Sequence, residues 1–210
     1  MSDILTIDTR NNSFKVQADR NTIETFFQYE KNRPSDINEH METLKRYSSD
    51  CEHITELGVR NVVSTWAFLS GNPKKYIGVD ILPCPIEAAE RLAKEAGIDF
   101  TFIQADTLDP NFVLEPTDLL FIDTWHIYRQ LSQELKVHGN KARKYIIFHD
   151  TTSFGEEDEG HWNEYSKLAG QPGEKRGLWT AIMEFLEENP QWRLLERYTH
   201  NNGLTILVRR

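Results

Sequence analysis

The chain has 210 residues, of which 39% are hydrophobic and 27% are charged, a composition typical of one globular α/β domain with at most a modest appendage. The formal net charge of −9 disfavours nonspecific binding to nucleic acid, because such binding depends on basic patches that neutralise phosphates. No run of apolar residues approaches the roughly 18 that a membrane-spanning helix needs. The N-terminus lacks the pattern of a signal peptide. The spacing of Cys51 and Cys84 is not that of a metal site. We therefore expect a cytoplasmic protein without a membrane span.

The first 50 residues form a separate region in the sequence pattern. Residues 1–20 predict a weak hairpin or an arm, and residues 21–32 and 35–50 each predict a helix, with Pro34 between them. Helices at the N-terminus could pair two chains, so a homodimer contact is one expectation for this region.

From residue 51 onward, strands and helices alternate. Five predicted strands are HITELG (53–58), YIGVD (76–80), DFTFIQAD (99–106), DLLFID (118–123) and KYIIFHD (144–150), with helices at 62–71, 85–97 and 127–139. A long segment, 151–177, has no clear period and predicts a loop. A helix at 178–189 and a closing antiparallel pair, 192–200 and 203–210, follow. This alternation predicts a mostly parallel, Rossmann-like sheet with helices on both faces.

Each of the five strands ends at a glycine or an acid: Gly58, Asp80, Asp106, Asp123 and Asp150. Ligands of open α/β sheets bind outside the carboxyl ends of the strands. The sequence therefore predicts a binding site at this edge of the sheet.

Three of these residues fit a nucleoside ligand. Gly58 lies between a strand and the start of a helix. A glycine there lets an anionic ligand group come close to the backbone at the helix N-terminus. A tight turn between strand and helix explains the glycine equally well. Asp80 follows about 20 residues later, where an acid accepts hydrogen bonds from ribose hydroxyls, and Asp106 could face the amine of adenine. Solvated or turn-capping aspartates are the alternatives at both positions.

The remaining strand ends carry the candidate catalytic residues Asp123, His126 and His149. Asp123 and Asp150 end two strands that we expect to be adjacent, so their carboxylates could share a hard divalent cation such as Mg²⁺. His126, three positions after Asp123, could act as a general base on a substrate hydroxyl. The alternatives are a helix-capping role for His126 and a hydrogen-bonded core position for His149.

Six stretches together carry a family resemblance: ELGVRNVVS, YIGVDI, IQAD, LLFIDTWHIY, IIFHDTT and RYTHNNGLTILVRR. From about residue 52 to 210 the chain resembles class I S-adenosylmethionine (SAM)-dependent methyltransferases. It is most similar to the small-molecule branch with the catechol and macrolide-sugar O-methyltransferases and the cephalosporin-hydroxylase-like proteins. The resemblance implies a seven-stranded sheet with an antiparallel last strand, SAM as cofactor, and O-methylation of a small polar acceptor such as a sugar.

The resemblance also implies roles for single residues. Glu56 and Gly58 would border the methionine part of the cofactor, and Ser64 would hold its carboxylate. Asp80 would hold the ribose, and Ala105 and Asp106 would border adenine. Asp123 and Asp150 match metal-binding positions, and His126 matches the base. The N-terminal helices would cover the substrate.

Two departures from the family pattern matter. Val62 stands where relatives have a second glycine, and its side chain is expected to narrow the approach to the backbone. His149-Asp150 stands where relatives have Glu-Asp or Asp-Asn, which weakens the case for magnesium because histidine is a softer ligand. Two alternative functions follow: a catalytically silent ligand-binding protein with this fold, and a metal-dependent enzyme that uses Asp123, His126, His149 and Asp150 without methyl transfer. The acidic run 156–159 predicts a solvated loop, or a lid over the site.

Overall fold

The computed structural model of the protein describes residues 22–160 and 174–210. The predicted arm at 1–20 and the residues 161–173 lie outside these ranges. Both predicted N-terminal helices are confirmed as α1 (Ile23–Asn32) and α2 (Met41–Ser48), joined through a short 3₁₀ turn at Asn38–His40. Thr22 caps α1, where its hydroxyl accepts a hydrogen bond from the backbone N–H of Thr25.

Within the described residues, seven strands form one sheet and confirm the predicted fold class. They are β1 (His53–Leu57), β2 (Lys75–Asp80), β3 (Asp99–Gln104), β4 (Thr117–Ile122), β5 (Ala142–His149), β6 (Trp192–Tyr198) and β7 (Leu204–Arg209). Their order is β3-β2-β1-β4-β5-β7-β6. The first five strands are parallel, and β7 is antiparallel to both β5 and β6. The order reverses between β1 and β4, and such a switch point is where ligands of open α/β sheets bind.

Four more helices, α3 (Val63–Ser70), α4 (Glu87–Glu95), α5 (Tyr128–His138) and α6 (Leu178–Glu188), complete the two covering layers. Strand β4 shows why the sheet needs both layers, because all six of its residues are buried. Its Leu119 and Phe121 belong to one core, with side chains of α1 to α4. Leu120 and Ile122 belong to the other core, with side chains of α5 and α6.

The N-terminal helices are part of the first core and not an appendage to it. Phe27 of α1 and Met41 and Leu44 of α2 are fully buried, in the same cluster as Trp66 and Phe68 of α3. In the described ranges, no helix is long and apolar enough to cross a membrane.

Candidate functional site

A cavity of about 610 Å³ opens at the carboxyl ends of β1, β4 and β5. Four chain segments form its wall. They are the turn after β1 with the start of α3, residues 123–126 after β4, residues 33 and 35–37 between the N-terminal helices, and the pair Asp150 and Glu159. The cavity therefore lies at the switch point between β1 and β4, where the strand ends predicted a site.

The turn after β1 is fixed by the protein's own packing. Gly58 has φ of 91°, and a Cβ there would stand 2.0 Å from the carbonyl oxygen of Asp123. Val62 has φ of 63°, the left-handed conformation that glycine adopts readily and a β-branched residue rarely does. The Val62 side chain is buried in the core and does not line the cavity. The expectation that Val62 narrows the approach is therefore wrong, because the side chain points into the core.

Glu56 lies behind the cavity wall, where it is completely buried. The hydroxyls of Ser64, Thr65 and Tyr76 all donate hydrogen bonds to its carboxylate. Burial raises the pKa of Glu56 to about 7, although the three hydroxyl donors partly oppose this. Ser64 itself lines the cavity, with its hydroxyl turned back toward Glu56.

Asp80 ties the end of β2 to the same turn. One carboxylate oxygen accepts hydrogen bonds from the backbone N–H groups of Val59 and Arg60, both at 2.9 Å, and the other accepts from Leu82 N at 2.9 Å. Ala105 donates its N–H to the Asp80 carbonyl, and the exposed Asp106 accepts from Leu108 N. Asp80, Ala105 and Asp106 thus lie together beside the cavity and do not form its wall.

The floor of the cavity is a cluster of imidazoles and carboxylates centred on His126. Its Nε2 lies 3.2 Å from Asp123 Oδ1 and 3.1 Å from Asp150 Oδ2. Its Nδ1 lies 2.9 Å from Glu159 Oε2. The ring also stacks on Phe154, with parallel planes and centroids 5.0 Å apart. The sequence prediction that Asp123, His126 and Asp150 share one pocket agrees with this geometry.

His149 approaches the same two carboxylates from the interior. Its Nδ1 lies 3.4 Å from Asp123 Oδ1 and 3.2 Å from Asp150 Oδ2. Its Nε2 faces the backbone carbonyl oxygens of Asp36 and Asn201, at 3.0 and 3.3 Å. The side chain is 1% exposed, so His149 is a buried histidine that also contacts the cluster.

The carboxylates strongly favour the protonated form of both rings. Burial lowers the pKa of His126, but the hydrogen bonds to Asp123 and Glu159 outweigh burial and raise this pKa to about 10. The pKa of His149 is likewise well above its ordinary value, since Asp123 and Asp150 outweigh its burial. Burial raises the pKa of Asp123, but the two imidazoles hold it below the usual range. As long as His126 carries this proton, it cannot accept another one as a base.

Glu159 of the acidic run takes part in the site, and its neighbour Asp158 binds the starts of two helices; the sequence predicted neither contact. Glu159 binds His126 through its side chain, and its N–H donates to the His126 carbonyl at 2.9 Å. Asp158 Oδ1 accepts hydrogen bonds from the N–H groups of Tyr128 and Gly177, each at 2.7 Å. The only signal in the sequence was the position of this run directly after Asp150.

The strand order, the antiparallel end of the sheet and the cavity at its switch point together define a Rossmann-like fold of the methyltransferase type. No family model matches the chain, and no curated protein matches it. Solved structures do match over most of its length.

Three of these structures illustrate the likeness. The cofactor-bound protein Rv0187 from MTB has a TM-score of 0.59 and 14% identity, with 90% of this chain and 88% of that chain covered. An O-methyltransferase from Bacillus cereus in complex with S-adenosylhomocysteine (SAH) has a TM-score of 0.57 and 15% identity, with 90% of each chain covered. The SAH-bound methyltransferase PaMTH1 of Podospora anserina has a TM-score of 0.54 and 16% identity over 100% of both chains. At these identities the likeness establishes a shared fold.

Proposed function

We propose that this protein is a SAM-dependent O-methyltransferase that acts on a small polar acceptor, such as a sugar or a sugar-bearing metabolite. The observation that carries the proposal is the cluster of Asp123, His126 and Asp150 on the floor of a cavity at the β1/β4 switch point. Solved proteins that share the fold are methyltransferases described as bound to SAH, which supports a methyl donor for this chain.

For the cofactor, the proposal places the methionine part along the turn from Gly58 to Ser64, at the start of α3. Backbone N–H groups at a helix start favour an anionic group such as a carboxylate. The ribose would lie near Asp80, and adenine near Ala105 and Asp106. Asp80 supports this placement, because a carboxylate has about four acceptor sites and three are used by backbone N–H groups.

In the proposed reaction the acceptor oxygen attacks the methyl carbon, the carbon–sulfur bond breaks, and SAH leaves. The hydroxyl proton of the acceptor must leave in the same step or before it. In this proposal the cavity would hold the two reactants together, which supplies part of the rate. Residues 33 and 35–37 line the cavity, so we propose that the N-terminal helical region covers the acceptor.

His126 could serve proton removal in two ways. As a base it would accept the proton at Nε2 while Nδ1 stays bound to Glu159. As a ligand it would help to hold a cation, for which the carboxylates of Asp123 and Asp150 also fit. A divalent cation at this place would lower the pKa of an acceptor hydroxyl.

Calorimetric titration with SAM and with SAH tests the cofactor, and methyl transfer to a panel of small polyhydroxylated acceptors tests the reaction. We expect both compounds to bind with a 1:1 stoichiometry. Absence of binding by both would overturn the proposal. Binding without transfer to any acceptor would favour the silent ligand-binding alternative.

The cluster itself supports a second candidate function, a metal-dependent hydrolysis or oxygenation without the methyl donor. Two imidazoles and two carboxylates within contact distance are also a ligand set for such chemistry. Turnover that requires a transition metal and persists without SAM would favour this function. The cytoplasmic location and the homodimer stay predictions from the sequence.

A further inference from the structure

Helix α5 places a buried carboxylate behind the loops that follow β3 and β4. Glu134 has no exposed surface, and it is not among the residues that line the cavity. Its Oε1 accepts hydrogen bonds from the Thr107 hydroxyl at 2.6 Å and from Gln130 Nε2 at 2.9 Å. Its Oε2 accepts a hydrogen bond from the Thr124 hydroxyl at 2.8 Å. One side chain of α5 therefore joins the loop after β3 to the loop after β4.

The two loops that this carboxylate joins belong to different parts of the proposed site. Thr124 lines the cavity. Thr107 follows Ala105 and Asp106, which are proposed to border adenine. One turn further along α5, the buried His138 donates its Nε2–H to the Thr107 carbonyl at 2.7 Å, since a carbonyl oxygen only accepts. Helix α5 thus holds the loop after β3 by both a side chain and the backbone.

The burial of Glu134 has a cost that packing alone does not explain. Burial raises the pKa of this carboxyl, and the hydrogen bonds from Thr107, Gln130 and Thr124 oppose the rise. An apolar side chain of similar volume would pack α5 against the sheet without that cost. It would not orient the hydroxyls of the two loops. The carboxylate is therefore suited to fixing the position of one loop relative to the other.

We propose that Glu134 is a positioning residue for the cofactor, which holds the loop after β3 where it borders adenine and fixes that loop to Thr124 in the cavity wall. The inference rests on the proposed function for the identity of the ligand. Glu134 touches neither reactant and acts through the hydroxyls of Thr107 and Thr124. The same contacts connect the adenine end of the site to the cavity that is proposed to receive the acceptor.

Two substitutions of similar size separate the hydrogen bonds from the packing. Glu134→Met keeps the length of the side chain and removes both acceptor oxygens. Glu134→Gln keeps an acceptor for Thr107, and its amide N–H can donate to the Thr124 hydroxyl, which accepts as well as donates. Calorimetric titration of the full chain should show SAH affinity at least about 10-fold weaker in Glu134→Met and within about 3-fold of the unchanged protein in Glu134→Gln. Unchanged SAH affinity in Glu134→Met would overturn the proposal.

Adenosine is the second probe, because it carries the nucleoside without the methionine part. Its affinity, measured by competition with SAH, should fall in Glu134→Met by the same factor as the affinity for SAH, since the displaced loop is proposed to border adenine. A loss of affinity for SAH that spares adenosine would overturn the proposal, because the change would then lie at the other end of the cofactor.

Thr107→Val tests the contact from its other side and decides the question where Glu134→Met does not fold. The matched control is Thr117→Val, which removes a buried hydroxyl at the opposite end of the sheet, where it donates to the His53 carbonyl at 2.9 Å. Both variants should unfold at lower urea concentration than the unchanged protein. Only Thr107→Val should weaken SAH binding, by about 10-fold, as loss of a hydrogen bond to a charged group predicts. Equal losses of SAH affinity in the two variants would overturn the proposal, since general loosening would explain both.

The outcomes separate this inference from the proposed function. An unchanged protein that binds neither SAH nor adenosine would overturn the proposed function, and with it the placement of adenine at this loop. SAH binding that Glu134→Met leaves unchanged would overturn only the role of Glu134. SAH binding that Glu134→Met weakens and Glu134→Gln retains would support both.

Discussion

The end of β1 and the end of β4 touch at Gly58 and Asp123. A Cβ on Gly58 would stand 2.0 Å from the carbonyl oxygen of Asp123 and 2.6 Å from its carbonyl carbon, distances that no real side chain tolerates. The Asp123 N–H in turn donates to the Leu57 carbonyl at 2.8 Å. The turn after β1, which is proposed to hold the cofactor, is therefore in direct contact with Asp123, which is proposed to hold the metal.

Gly58→Ala should destabilise the protein by about 3 kcal/mol, because the new methyl group must displace the Asp123 backbone and φ of 91° is unfavourable for alanine. Unfolding in urea measures the change in free energy. Gly97→Ala is the matched control, since Gly97 has φ of 78° and no described atom lies within 4 Å of its added Cβ. The free energy of unfolding of Gly97→Ala should fall by only about 1 kcal/mol, the cost of the left-handed backbone alone. Equal losses for the two variants would contradict the role of the contact with Asp123.

The sequence predicts the sheet well because the pattern that marks a strand lies within a few consecutive residues. In LLFID, four consecutive apolar residues are followed by an acid, and a parallel strand buried on both faces has that pattern. The predicted strands and the observed ones agree to within a few residues. The placement of Asp123 beside Asp150 follows from strand adjacency, which the alternation of strands and helices also predicts.

The side-chain contacts of the site were less predictable. Glu159 reaches His126 from 33 positions along the chain, through a segment without hydrophobic period. The nitrogen that His149 directs at the carboxylates depends on the backbone carbonyls of Asp36 and Asn201, which no motif encodes. The conformation of Val62 could not be predicted either, because a valine rarely adopts a φ of 63°. These features depend on tertiary packing.

Glu56 should make stability depend on pH. Its pKa is raised from 4.5 to about 7 in the folded protein, so the folded state binds a proton more tightly than the unfolded chain does. The resulting stabilisation is fully present below pH 4.5 and is lost as pH rises through about 7. The pKa difference corresponds to an upper bound of about 3 kcal/mol. Tyr76 hydrogen-bonds the carboxyl, and Asp123 and Cys84 are the other titratable groups that interact with it.

Glu56→Gln tests this contribution, because an amide keeps the shape of the protonated carboxyl and does not titrate. The free energy of unfolding, measured in urea at pH 5 and at pH 8, should fall by less in the variant than in the unchanged protein. Glu52→Gln is the control, as Glu52 is exposed and pairs with Lys74 at the surface. An equal decrease between the two pH values in the unchanged protein and in Glu56→Gln would refute the prediction.

Asp80→Ala should weaken both SAH binding and the fold. Removal of the carboxylate leaves the N–H groups of Val59 and Arg60 without their acceptor, which should destabilise the protein by about 2 kcal/mol. The turn that is proposed to hold the methionine part then loses its shape, and the ribose loses its acceptor. We expect SAH affinity to fall by at least about 10-fold, as one lost hydrogen bond to a charged group predicts.

Asp109→Ala is the control for this prediction. It removes a comparable exposed turn aspartate, which accepts a hydrogen bond from Asn111 N at 2.8 Å, and should leave SAH affinity unchanged. Unchanged affinity in Asp80→Ala would show that the ribose lies elsewhere.

Asp158 should hold the acidic segment against the starts of α5 and α6. Its Oδ1 accepts from Tyr128 N, the first residue of α5, and from Gly177 N, directly before α6. The first N–H groups of a helix have no partner within the helix, so this carboxylate satisfies groups that would otherwise depend on water. Glu159 follows directly, and its contact with His126 therefore depends on the same anchorage.

Asp158→Ala should accordingly increase amide hydrogen exchange at Tyr128 and Gly177 and destabilise the protein by about 2 kcal/mol, since hydrogen bonds to a charged acceptor are lost. Glu156→Ala changes an exposed residue of the same segment and should leave the exchange at Tyr128 and Gly177 unaltered. Amide exchange at Tyr128 and Gly177 could instead stay as slow in Asp158→Ala as in the unchanged protein. That result would show that other contacts hold the acidic segment. It would contradict the claim that the contact between Glu159 and His126 depends on Asp158.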